Sequence, residues 1–211
     1  MAITKVTGSL LGNYTVGTTN VVVGNTAGDS LQSGGANNVL IGNAAGTAIT
    51  TGDNNVALGS SALLVNTTGS YNAAVGMVAL DANIDGDANT ALGYGALSDN
   101  TTADNNTAVG YFALLRNTTG ASNVAVGAAS MDATTTGGSN TAVGAESLGA
   151  NTTGANNASF GYGALEANTT ASNNTAVGSA ALAANTTGTT NVAVGTAALD
   201  ANTTASSNIA V

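Results

Sequence analysis

The sequence predicts an all-β chain, a parallel β-solenoid of about twelve coils. The first observation is a string of the form Asn-x-Ala-Val-Gly that starts at Asn20, Asn38, Asn55, Asn72, Asn89, Asn106, Asn123, Asn140, Asn157, Asn174, Asn191 and Asn208. The second is its spacing: 18 residues once, then 17 ten times over. A fixed short period is the mark of repeats that stack, each burying its apolar side on the next. The third is register. Asn, Thr and Gly are abundant and charge is only 6%, a composition that also occurs in disordered tracts, yet the apolar positions hold their place in every copy.

The segment Asn106–Ser122, NTAVGYFALLRNTTGAS, serves as the type coil. Thr107-Ala108-Val109 reads as a short strand whose side chains alternate between two faces. Val109 has equivalents in Val23, Ile41, Leu58, Val75, Leu92, Val126, Val143, Phe160, Val177, Val194 and Val211, and none is polar. This predicts a core column. The middle position is Ala57, Ala74, Ala91, Ala108, Ala125, Ala142, Ala176, Ala193 or Ala210, with Ser159 as the exception. A column this small predicts a face closely approached by a neighbouring chain. The glycine that follows, Gly59, Gly76, Gly93, Gly110, Gly127, Gly144, Gly161, Gly178 or Gly195, predicts a turn that needs positive φ or has no room for a Cβ.

Four residues further on lies a second apolar column: Leu63, Leu80, Leu97, Leu114, Met131, Leu148, Leu165, Leu182 and Leu199. Asn-Thr-Thr-Gly or Asn-Thr-Thr-Ala then closes the coil, with Asn bonding locally and Gly taking the bend. The first two coils differ: Ala27-Gly28 and Ala45-Gly46 replace Ala-Leu, and an apolar residue comes three positions later, at Leu31 and Ile49. Stacking in register aligns Asn55, Asn72, Asn89, Asn106, Asn123, Asn140, Asn157, Asn174 and Asn191 into a predicted structural ladder of amides bonded along the axis. At the interstrand spacing of a sheet the rod would be roughly 55–60 Å long. Residues 1–19 read as an N-terminal cap or attachment segment and 20–211 as the repeat body, which stops within a repeat. That ending predicts a fragment or an end covered by another subunit. With about two large apolar side chains per coil, the core is thin, and burial of a second face against further copies is expected.

Composition excludes several functions. Eleven acids against Lys5 and Arg116 give a net charge of −9, which disfavours nucleic acid and anionic membrane as partners. No segment is apolar over the length of a membrane span, and the start, MAITKVTGSLLGNYTVG, does not read as a secretory signal. The chain has no His and no Cys, so the usual nucleophilic and zinc constellations are missing. We expect no enzyme and no cofactor. Asp81, Asp85 and Asp87 form the only candidate cation site, against the plainer reading of a solvated turn. The Asn-Thr-Thr strings at Asn66, Asn100, Asn117, Asn151, Asn168, Asn185 and Asn202 match a glycosylation acceptor but read as turn chemistry. Tyr94, Tyr111 and Tyr162 share a column after the glycine, suited to packing against a neighbouring chain or stacking on sugars. Thr67, Thr101, Thr118, Thr135 and Thr152 could form an ice-binding lattice.

The strings NVAVG, NTAVG and NVALG with small residues between them resemble the YadA-like head repeats of trimeric autotransporter adhesins. NTAVGYFALLRNTTG more closely resembles a longer repeat of bacteriophage tail fibres. The resemblance covers about residues 20–211. It implies a left-handed β-roll, trimeric about its long axis. Adhesin head repeats are usually shorter than 17 residues, and the opening MAITKVT looks like that of virion tail proteins. The resemblance therefore implies a structural shaft, foremost a phage tail fibre engaged in host attachment and located on the virion. Its partners would be further copies of the chain, other virion or fibre proteins and host-surface glycan. A bacterial adhesin head or extracellular filament at the cell surface is the alternative, and an ice-binding solenoid a second one.

Overall fold

The computed structural model describes residues 19–31 and 34–211, so the predicted N-terminal segment lies, apart from Thr19, outside the described residues. Twelve short strands form one sheet in chain order: β1 (Val21–Val23), β2 (Val39–Ile41), β3 (Val56–Leu58), β4 (Ala73–Val75), β5 (Thr90–Leu92), β6 (Thr107–Val109), β7 (Val124–Val126), β8 (Thr141–Val143), β9 (Ala158–Phe160), β10 (Thr175–Val177), β11 (Val192–Val194) and β12 (Ile209–Ala210). Each pairs in parallel with the next. The register sets equivalent residues opposite one another, as in Thr107 with Val124, Ala108 with Ala125 and Val109 with Val126. One repeat is thus one turn of a parallel β-solenoid, eleven turns from β1 to β12, and no helix occurs among the described residues.

The two strand faces are the reverse of the sequence expectation. The alanines expected to meet a neighbouring chain, Ala57, Ala74, Ala91, Ala108, Ala125, Ala142, Ala176 and Ala193, are fully buried inside the coil, as is Ser159. The expected core column points outward instead. Leu92 is 47% exposed, Phe160 42%, and Val177 and Val194 37% each, while Val75, Val109, Val126 and Val143 are half-buried. The reason is cross-section. A 17-residue coil encloses little space, and from Leu63 to Leu182 that space is already filled by the leucine column, by the buried alanine or serine before it and, in most coils, by two buried asparagines. Only a methyl group remains compatible with the third wall. The second apolar column is inside as expected, from Leu63 to Leu182.

The first two coils keep the interior volume by redistributing it. Leu40 takes the place of the strand alanine, Gly46 that of the leucine and Ile49 that of the turn asparagine, and both Leu40 and Ile49 are fully buried. A Cβ on Gly46 would lie 2.7 Å from Leu40 Cδ2 and 2.8 Å from Ile49 Cδ1, so the large side chains occupy the room the glycine leaves.

The curl between strands needs unusual backbone. In the type coil Phe112, Leu114 and Ser122 have φ of 54°, 53° and 62°, a conformation that disfavours L residues. The alternation turns successive N–H groups toward opposite neighbours. Phe112 N donates back to Tyr94 O at 3.0 Å, Leu114 N forward to Ser130 O at 2.9 Å, and Ala113 N closes a local turn onto Gly110 O at 3.4 Å. Gly110 itself has φ of 140°, and a Cβ there would stand 2.4 Å from the carbonyl oxygen of Gly127. Positive φ and lack of room both occur from Gly59 to Gly178, while Gly195 has the positive φ alone. The assignment of faces is testable: Ala108→Leu should destabilise by about 1–3 kcal/mol through overpacking. Val109→Leu, at a position where Leu58 and Leu92 already stand, should stay within about 1 kcal/mol. Urea unfolding of both variants decides, and the opposite order would return the valines to the core.

Candidate functional site

The interior contains the asparagines that the sequence singles out, which makes them structural. Each strand asparagine accepts with Oδ1 from the backbone N–H of the next one: Asn89 from Asn106, Asn106 from Asn123 and Asn123 from Asn140, all at 2.9 Å. Except at Asn106, the Nδ2 donates to the carbonyl of the closing turn, as that of Asn89 does to Ala103 at 2.8 Å and that of Asn123 to Gly137 at 2.9 Å. This column is therefore mainly a side-chain-to-backbone ladder. The amide-to-amide ladder lies in the turn asparagines, where Asn83 Nδ2 donates to Asn66 Oδ1 and Asn100 Nδ2 to Asn83 Oδ1, both at 2.7 Å. Asn66, Asn100, Asn117, Asn151, Asn168 and Asn185 are fully buried, so these amides are closed to a glycosylating enzyme in the folded chain.

The outer surface divides into faces of different chemistry. The sheet's outward face carries the first and third residues of each strand, and none of them is charged. It is mostly Val, Leu, Ile, Ala and Phe with a few Thr. Beside it run Tyr94 and Tyr111, whose rings stack at 5.5 Å and 15°. Phe112 lies edge-on to Tyr94 at 5.2 Å and tilted against Tyr111 at 4.2 Å, folded over the place where Gly95 has no side chain. Since the two tyrosines face each other, they do not offer a free pair of ring faces to a sugar. Tyr162 stands apart from them, and a hydrogen bond to Glu146 lifts its phenol above the ordinary value.

On another side, over the second half of the rod, runs a shallow groove of about 790 Å³ floored by Ala129, Ala150, Ala167, Ala180, Ala183 and Ala184 and edged by Asp132, Glu146, Glu166 and Asp200. Asp81, Asp85 and Asp87 do not gather into a metal site, and no cluster of three metal-ligating side chains occurs among the described residues. Two of the three carboxylates hold the fold instead: Asp87 Oδ1 accepts from Ser70 N at 2.7 Å and Asp81 Oδ1 from Ser98 Oγ at 2.5 Å. The first threonines of the Asn-Thr-Thr turns are likewise committed, with Thr101 Oγ1 donating to Thr118 O and Thr118 Oγ1 to Thr135 O, both at 3.1 Å. Comparison with family models, curated proteins and solved structures finds no match to this chain.

Burial lifts the carboxyls of Asp81 and Asp132 above the ordinary 3.8. The hydrogen bond from Ser98 opposes the rise at Asp81, and the attraction of Arg116 opposes it at Asp132. A carboxyl raised on folding binds its proton more tightly in the folded chain than in the unfolded one, so it opposes folding when ionised. Its cost is absent below 3.8 and grows as pH rises through the folded value. Asp81→Asn keeps an acceptor for Ser98 and removes the ionisation. It should therefore be more stable than the parent at neutral pH and equal to it in acid, in thermal melts across that range. A parent advantage at neutral pH would contradict the burial argument.

Proposed function

We propose that the chain is a non-enzymatic structural rod, the shaft segment of a fibre in which copies lie side by side, foremost as a homotrimer. The observation that carries this reading is the uncharged outward face of the sheet, continuous over twelve strands. At sheet spacing the strip is about 55 Å long, and with its flanking column about 15 Å wide, close to the ~800 Å² per partner that a stable interface buries. Extended exposed apolar strips mark interaction sites on soluble proteins. The neighbour-facing column is then the valine column, the alanines being interior. The rest of the molecule suits passive load-bearing: buried amides are spent on neighbouring coils and the carboxylates are scattered or committed to backbone.

Together with the resemblance of the NTAVGYFALLRNTTG string, this favours a phage tail fibre that holds a receptor-binding part away from the virion, with other fibre proteins as partners. A bacterial adhesin head or extracellular filament rests on the same features and is the second reading. Ice binding draws less support, because the aligned threonine hydroxyls of the turns already donate within the rod. Analytical ultracentrifugation should give three times the 20.0 kDa chain mass with an elongated shape. Leu92→Lys with Val126→Lys should separate the chains. A compact monomer for the parent would reject the assembly, and a double variant that still associates would move the interface to another face.

A further inference from the structure

We propose that the rod contains a built-in joint between the coil of Asn106–Ser122 and the coil of Asn123–Ser139, where it opens before any other interior junction. Among the described residues, two buried side-chain atoms have no hydrogen-bond partner, Asn106 Nδ2 and Asn117 Oδ1, and both belong to the coil on one side of this junction. For Asn117 the cause is the residue that the next coil places against it. Residue 134 is Thr where the amide ladder has Asn in the coils on either side. A shorter side chain does not supply the amide that Asn117 Oδ1 would accept from. On its far side Thr134 still accepts from Asn151 Nδ2, at 3.4 Å. Before the break the ladder runs from Asn66 through Asn83 and Asn100 to Asn117, and after it from Asn151 through Asn168 and Asn185 to Asn202.

A second tie, the side-chain clamp on the turn backbone, is also missing here, as it is at the junctions on either side. Near the N-terminal end Asp53, Asp87 and Asp104 clamp the backbone N–H of the preceding coil at 2.7 Å. The equivalent residues flanking the joint are Ala121 and Gly138, which have no side-chain acceptor. The junction just before is reinforced by the stack of Tyr94 on Tyr111 and Phe112. What remains at the joint is the backbone ladder, the bond from Asn123 N to Asn106 Oδ1 and the one from Thr118 Oγ1 to Thr135 O. Arg116 attracts Asp132 across it, but the guanidinium is solvent-exposed, and pairs screened in this way contribute little. In a linear array stability is a sum of nearest-neighbour terms. A junction with an unsatisfied buried acceptor is therefore the first to separate.

The chain reports on this joint by itself, because Lys5 and Arg116 are its only tryptic sites and Arg116 lies in the coil beside the break. Under native conditions trypsin should cut at Arg116, and hydrogen-exchange mass spectrometry should place the interior minimum of protection around Leu114 and Met131. Thr134→Asn should slow both by at least about fivefold by completing the ladder. Thr134→Val, which leaves Asn117 unpaired, should not. Adding Asn168→Thr to Thr134→Asn should move the minimum to the junction after Asn151 while Arg116 stays protected. The inference is overturned if interior protection is uniform in the parent, if Thr134→Val protects as well as Thr134→Asn, or if the minimum stays in place in the double variant. Should Thr134→Asn pack badly, Asn168→Thr alone must create a second minimum, and its failure to do so also overturns the inference. The exchange map is read on the assembled protein at fixed concentration, so it does not depend on the number of chains.

Discussion

Two buried asparagines in most coils set the terms for everything else in this rod. An amide inside a protein must be paired, because an unpaired buried polar group costs about 1–3 kcal/mol. Here most of the partners lie on adjacent coils. The Oδ1 of one strand asparagine receives the backbone N–H of the next, and its Nδ2 fixes the carbonyl of the closing turn. No coil can satisfy its interior alone, so the amides impose register, spacing and stacking together. The leucine column supplies the apolar burial around them, and the glycine after each strand lets successive backbones come close enough for the bonds to form.

That constraint also explains why the strand faces were hard to assign from sequence. A column with no polar residue normally lies in a core, and alternation along Thr107-Ala108-Val109 offers only two choices. The rule misled here because the amides and leucines leave room for a methyl group and nothing larger. The correct clue lay in the two atypical coils. Where the eighth residue after the strand asparagine is Gly28 or Gly46, the strand-middle residue grows to Val22 or Leu40. Compensation of that kind ties the two positions to one enclosed space. Period, sheet, turn chemistry, positive-φ glycines and the structural role of Asn were legible, because each depends on local pattern. The orphaned Oδ1 of Asn117 was not, since it depends on which side chain the next coil sets against it.

Outside the ladders the chain sorts its surface by charge. The outward sheet face carries none, whereas Asp132, Glu146, Glu166 and Asp200 edge a groove elsewhere. Separation of this kind leaves one face uncharged and another acidic, with a net charge of −9 limiting indiscriminate contact. Several carboxylates also act as backbone acceptors, so the acidity is partly a consequence of how the coils are tied.

The unbroken in-register pairing from β2 to β12 has a consequence for how such a chain varies through time. Every strand meets its neighbours in the same relation, so an in-frame gain or loss of 17 residues would insert or remove a whole turn without rotating any face. Reach would change in single steps of about 4.8 Å, while the uncharged outward face of the sheet kept its chemistry and merely lengthened or shortened. The rod is in that sense a ruler whose graduations are written in the sequence, and its length can drift among descendants while its cross-section stays fixed.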